Sequence, residues 1–154
     1  MSTIAQSIIE SPADGRTDLV GMSRAELATL FESLGLPQFR VKQVWHWIYH
    51  HGSRDFTEMT TISKDMQRQM AELFVISRPS IATEQTSTDR TRKWLMKFGD
   101  GKMAEAVHIP DNDRGAVCMS AQVGCTLTCK FCHTGTQRMV RNLTPAEIVG
   151  QFML

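Results

Sequence analysis

The chain has 154 residues, a net charge of +1, 42% hydrophobic and 21% charged residues, the make-up of a soluble globular domain. That balance excludes a uniformly basic nucleic-acid binder, so any basic surface must be local. No apolar run approaches the roughly 20 residues of a membrane span and no basic-then-apolar leader opens the chain, which predicts a cytoplasmic protein without a membrane partner.

Residues 1–20 mix Ser, Thr, Asp, Gly and Pro around Ile8-Ile9 without a sustained period, the composition of a flexible tail. Ser23 and Glu26 form an S-x-x-E capping box ahead of Leu27, Leu30, Phe31 and Leu34, and Gly35 with Pro37 ends that helix. A second helix is predicted from Phe39 to His51, with Val41, Val44, Trp45 and Ile48 inward and Gly52 as its stop. Its other face carries Arg40, Gln43, Trp47 and His51, with Lys42, His46 and His50 nearby. Such a face suits RNA through phosphate contact and stacking; equally, Trp47 can cap the core while the charges are solvated. A third helix is expected from a Ser63 cap, with Met66, Met70, Leu73 and Phe74 inward, making residues 21–78 a small helical domain.

After Pro79 the period changes to two. Trp94, Met96 and Phe98 alternate with polar neighbours, Gly99-Asp100-Gly101 turns the chain, and Lys102 to Ile109 alternates again, a β-hairpin within residues 79–110. Residues 111–154 begin with the polar loop Asp111 to Gly115 and a strand from Ala116 to Ala121 that delivers the chain into a cysteine-rich loop. Thr144 as cap, Pro145 at the first position and Glu147 at the third then start a helix. The predicted class is α/β, α+β within this stretch.

Three of the four cysteines, Cys125, Cys129 and Cys132, lie within eight residues as C-x3-C-x2-C. Three thiolates can hold three irons of a 4Fe-4S cluster and leave the fourth open, whereas an electron-transfer cluster takes four. The same residues also fit a buried helix face at i, i+4, i+7, a zinc site completed by His133, or a C-x-x-C-H haem attachment. Clustered cysteines suit a metal site in a reducing compartment better than a disulfide framework. Cys118 alone reads as a small buried hydrophobe. Glu105 is in phase with Met103, Val107 and Ile109, so it is either a carboxylate on an apolar face that needs a partner or a task, or an edge-strand Glu facing water.

The cysteine spacing resembles the signature of the radical S-adenosylmethionine superfamily. Ser120-Ala121-Gln122-Val123-Gly124-Cys125, Cys129-Lys130-Phe131-Cys132, Arg141-Asn142-Leu143 and Glu147-Ile148-Val149-Gly150-Gln151 resemble the bacterial adenine-C2 methyltransferases of large-subunit rRNA and tRNA. Leu36-Pro37-Gln38-Phe39-Arg40, Gln43-Val44-Trp45 and Phe56 with Glu58-Met59-Thr60 are similar to that family's helical N-terminal domain, which helps to engage RNA. His133, Thr134, Gly135 and Gln137 depart somewhat from it.

The resemblance implies a 4Fe-4S cluster on Cys125, Cys129 and Cys132, and two molecules of S-adenosylmethionine. One would methylate a C-terminal cysteine that this sequence lacks; the other would be cleaved to a deoxyadenosyl radical. Glu105 corresponds to the proton acceptor and Cys118 to the resolving cysteine, which pairs transiently with the missing cysteine. It further implies rRNA and tRNA substrates, a flavodoxin-type electron donor, a monomer, and a partial β/α barrel of which this chain holds the first β/α unit before stopping at Leu154. The isolated chain is then expected to transfer no methyl group. A C8-methylating antibiotic-resistance paralogue and a non-catalytic, zinc-stabilised RNA-binding module stay open.

Overall fold

The computed structural model describes residues 15–127 and 129–153; the first 14 residues of the expected tail, Thr128 of the cysteine motif and Leu154 lie outside the described residues. Two units form, one from Ser23–Ile76 with the described residues up to Leu19, the other from Val20–Met22 with the residues from Ser77 onward.

In the first unit, the S-x-x-E motif acts as the sequence predicts. The Ser23 hydroxyl accepts the Glu26 N–H at 3.2 Å and the Glu26 carboxylate accepts the Ser23 N–H at 2.7 Å, which starts α1 (Arg24–Ser33). Its buried residues, Leu27 and Phe31, meet the inward face of α2 (Phe39–Tyr49), formed by Val41, Val44 and Ile48. Trp45 leaves that stripe and is only half-buried. The third helix, α3 (Lys64–Leu73), begins after Ser63 as expected, but the Ser63 side chain makes no capping bond. What fixes this region instead is Gln67, whose buried side-chain amide donates to Met59 O at 2.9 Å and Ile62 O at 3.2 Å. Leu73 is exposed, and Phe74 leaves the helix in an extended conformation to stack on Phe31 at 6.2 Å.

The tail reading needs correcting for its described end. Thr17–Asp18 form β1, parallel to β2 (Phe74–Val75), and the Leu19 N–H donates to Val75 O at 3.0 Å. Leu19 and Val20 are each 1% exposed. A two-residue strand is too short to show a period, and its partner is remote in sequence.

The second unit is built on an antiparallel meander of β3 (Ser80–Thr86), β4 (Arg92–Lys97), β5 (Met103–Asp111) and β6 (Arg114–Cys118). The expected hairpin is its centre. β3 was not legible because it is exposed throughout and shows no apolar alternation. The expected loop from Asp111 to Gly115 shrinks to a turn at Asn112-Asp113, with Asn112 at φ 45°, and the third strand ends at Cys118 rather than Ala121. Next come β7 (Gln122–Val123), antiparallel to β8 (Arg141–Asn142), and α4 (Pro145–Phe152), which has the full Thr144–Glu147 capping box and Pro145 in its first turn. Phe98, Ala104, Val123 and Leu143 form a core against which Ile148 packs. The class is mixed helix and strand.

Candidate active site

Among the described residues from Gly124 to Val140 there is no α-helix, and a short 3-10 helix spans Thr134–Thr136. Cys125, Cys129 and Cys132 lie outside any helix, which removes the buried-helix-face reading. The base of this loop is closed by the β7–β8 ladder, by the Val140 N–H donating to Val123 O at 2.9 Å and by the Leu143 N–H donating to Ala121 O at 2.8 Å. Within it, the Cys125 N–H donates to Gln137 O at 3.2 Å, the Cys132 N–H to Cys129 O at 3.2 Å and the Gly135 N–H to Cys132 O at 3.0 Å. Two glycines make this path possible. Gly124 has φ 78°, and a Cβ there would collide with the Arg138 carbonyl; a Cβ on buried Gly135 would lie 2.8 Å from Cys129 O.

Cys125, Cys129 and Cys132 are free and half-buried, and Cys125 Sγ accepts the Leu127 N–H at 3.3 Å. Thiolates are the usual ligands of such clusters. The donor set therefore fits a thiolate-held cluster. Among the described residues, no three His, Cys, Asp or Glu side chains already converge on a metal-holding group, His133 included. Thiolate sites are commonly assembled by their metal rather than preformed.

Beside this loop two anchors tie it to the sheet and to α4. The Arg141 guanidinium donates through both Nη atoms to the Glu147 carboxylate at 2.7 Å each, and through Nε to Asp100 Oδ2, in the β4–β5 turn, at 2.9 Å. Glu147 also accepts the Thr144 N–H at 2.8 Å. The hydrogen bonds from Glu147 and Asp100 hold the Arg141 guanidinium more firmly protonated than usual. Arg141 correspondingly holds Asp100 below the ordinary carboxylate range. For Glu147, burial pushes upward, but the bonds from Arg141 and Thr144 outweigh it and the net displacement is downward. The second anchor is Gln151, which bonds both backbone groups of Ser120.

Glu105 and Cys118 come to one face of the meander. Cys118 pairs with Val107, and Glu105 lies two residues from Val107 on β5, so all three point the same way. The Ser120 hydroxyl donates to the Glu105 carbonyl at 2.8 Å. The burial expected of Glu105 is absent. Ala104 and Ala106 are the buried residues of β5, while Met103, Glu105 and Ile109 face outward. Side-chain hydrophobicity alone picks the wrong face here, because small alanines fill the space beneath Met96 and Phe98. The carboxylate's ion partner among the described residues is Lys93, 3.1 Å away. Cys118 is exposed, not a buried hydrophobe.

In the helical unit, the outward face of α2 lines an open groove of about 710 Å³ with Arg24, Lys42, Trp45, His46, Trp47, His50 and His51, and among the described residues no acidic side chain lines it. Trp47 is half-buried; its indole N–H donates to Thr61 Oγ1 at 2.8 Å and its ring lies 4.4 Å from that of His51. Arg24 sits 5.2 Å over Trp45.

Residues 17–76 match the family model described as the ribosomal RNA large subunit methyltransferase N-terminal domain. The dual-specificity RNA methyltransferase RlmN of Gluconobacter oxydans is 67% identical over 143 residues, which cover 92% of this chain and 35% of that protein. Its counterpart from Granulibacter bethesdensis is 62% identical, over 91% of this chain and 36% of its own length. The crystal structure of a radical SAM methyltransferase from Sphaerobacter thermophilus superposes with a TM-score of 0.81 at 34% identity, covering 88% of this chain and 40% of that one. Over about nine-tenths of its length the chain is similar to one part of the dual-specificity RNA methyltransferases. It spans about a third of the length of the curated relatives it matches. Within this stretch the motifs and periodicity did not single out Arg141, Gln151 or Lys93 as anchors. Arg141 and Gln151 stood in the motifs that carried the resemblance, and only the fold gives them partners.

Proposed function

We propose that this chain is part of a radical S-adenosylmethionine methyltransferase acting on C2 of adenine in rRNA and tRNA, and that by itself it transfers no methyl group. The observation that carries the reading is the loop from Gly124 to Val140: three free, half-buried thiols on one backbone-stapled segment, in a chain 67% identical to a named RNA methyltransferase. Cys125, Cys129 and Cys132 would hold a 4Fe-4S cluster, which when bound supplies the one-electron cleavage of S-adenosylmethionine needed to alkylate an unactivated aromatic carbon.

The protein's own residues have separate tasks in this reading. Glu105 is the proton acceptor, outward-facing and within hydrogen-bond reach of whatever lies on the sheet. Cys118, exposed on the same face, is the resolving thiol, which must be accessible to attack or be attacked. The α2 groove grips RNA, with Lys42 and Arg24 toward phosphate and Trp47 and the imidazoles toward bases. The meander and cysteine loop begin a partial β/α barrel, whose chemistry sits at the C-terminal ends of its strands. The enzyme works in the cytoplasm as a monomer with a flavodoxin-type electron donor. Among the described residues no helix is long and apolar enough to cross a membrane.

The test is product analysis of adenine in rRNA and tRNA after reaction with a reconstituted full-length enzyme that contains this chain, beside its Glu105→Gln and Cys118→Ala variants and the isolated chain, which should give no product. C2-methyladenine that disappears in both variants supports the assignment; a C8 product, or full activity in either variant, contradicts it.

A further inference from the structure

Arg141 stands at the point where the cysteine loop returns to the sheet, directly opposite Val123 and two residues before Leu143. Val123 and Leu143 are core residues, and the Arg141 side chain beside them is only 22% exposed. There it engages one carboxylate from the β4–β5 turn and one from the first turn of α4. Its Nη1 also donates to Asn142 O at 3.0 Å, so every nitrogen of the guanidinium is engaged. A planar fork with fixed donors reproduces this arrangement, and a lysine ammonium does not.

The two carboxylates have further fixed partners. Glu147 accepts the Thr144 N–H, which sets the first turn of α4, and Asp100 Oδ1 accepts the Lys102 N–H at 2.9 Å, which sets the hairpin turn. Three elements are thus indexed to one side chain located where the loop closes. If the network served only to stabilise the fold, an apolar triad of similar volume would do as well, since partly buried ion pairs add little net stability. What a bidentate pair adds is a single allowed orientation.

We propose that Arg141 is a positioning residue for the cysteine loop: through Glu147 and Asp100 it fixes the loop's orientation on the sheet and α4, and so the surroundings of the group that the three thiols hold. This rests on the cluster reading given above. Cluster loading depends on the thiols, whereas the cluster's surroundings depend on Arg141. The two are therefore separable by experiment.

The experiment compares the reconstituted wild-type protein with Arg141→Lys, Arg141→Met and Asp100→Asn. It measures iron and sulfide content, the electron paramagnetic resonance spectrum of the reduced protein with and without S-adenosylmethionine, and hydrogen exchange of the Val140 and Leu143 amides in the metal-free protein. The expected result for Arg141→Lys is wild-type iron and sulfide per folded protein, an altered spectrum with S-adenosylmethionine, and at least tenfold faster exchange at the two amides. Asp100→Asn, which leaves the bidentate pair intact and is the milder change should Arg141→Met fail to fold, should show the same effects in smaller degree. Spectra and exchange identical to wild type in folded Arg141→Lys would overturn the assignment. So would iron loss that merely follows the unfolded fraction. Absence of any cluster in the wild-type protein would overturn the cluster reading itself, and this role with it.

Discussion

Gln151 holds both backbone groups of Ser120: its side-chain amide donates to the Ser120 carbonyl at 2.9 Å and its oxygen accepts the Ser120 N–H at 3.0 Å. Ser120 lies between the end of β6 and the start of β7 and is not part of either strand, so its backbone has no ladder partner. One buried side chain from α4 supplies what a strand neighbour would have supplied.

Replacing Gln151 by Leu therefore strands two backbone groups in a partly buried site. The expected loss is about 1–3 kcal/mol, the usual cost of unmaking buried hydrogen bonds. Gln151→Glu keeps the acceptor for the Ser120 N–H but sets a carboxylate oxygen against the Ser120 carbonyl at a buried position. At neutral pH it should therefore lose at least as much. Urea denaturation of the two variants checks the order, and an unchanged midpoint for Gln151→Leu would contradict it.

Gly124→Ala is expected to be costlier than a surface change. The residue sits at φ 78°, where a side chain is strained by about 1–3 kcal/mol, and the Arg138 carbonyl occupies the space of the new methyl. Thermal denaturation should show the loss, and metal retention should fall with it. Gly99→Ala, where a Cβ meets nothing within 4 Å, is the control that should stay near wild type.

The Asp100–Arg141–Glu147 network gives a pH dependence of definite sign. Both carboxylates titrate lower in the folded chain than when free, so their contribution is complete above the ordinary carboxylate range, about pH 4, and drains away as pH falls below it. Wild-type stability should therefore drop on acidification more steeply than that of a Glu147→Gln, Asp100→Asn double variant. Parallel curves from pH 7 to pH 3 would show that the network carries no proton linkage.

Trp47→Ala and Lys42→Ala separate two ways of gripping RNA in the α2 groove. Loss of a stacking ring costs about 1–3 kcal/mol of affinity with little effect on salt dependence, whereas loss of one phosphate contact reduces the salt slope by about one. Titration of a tRNA at several salt concentrations distinguishes them. Equal affinity and slope in both variants and wild type would remove the groove from the RNA-binding surface.

Elements governed by local chemistry were legible in the sequence: the two capping boxes, the stripe on α2 and the β4–β5 hairpin follow from side chains within a few residues of one another. Elements governed by remote partners were not. Thr17 and Asp18 form a strand only because Phe74 and Val75 are there to pair with, and β3 presents no apolar face to reveal it. Glu105 shows the same limit within the candidate site. Its phase with Met103, Val107 and Ile109 was read correctly, but which face of β5 is buried depends on the alanines between them. The thiols were legible from spacing, while the residues that hold their loop, Arg141 and Gln151, acquire partners only in three dimensions.

The most direct measurement is made without oxygen: iron and sulfide content after reconstitution, then the electron paramagnetic resonance spectrum of the reduced protein with and without S-adenosylmethionine. The account predicts about four irons and four sulfides per chain, a spectrum that shifts when S-adenosylmethionine is added, and loss of both when Cys125, Cys129 and Cys132 become Ala. Zinc without sulfide, or a cluster indifferent to S-adenosylmethionine, would contradict it.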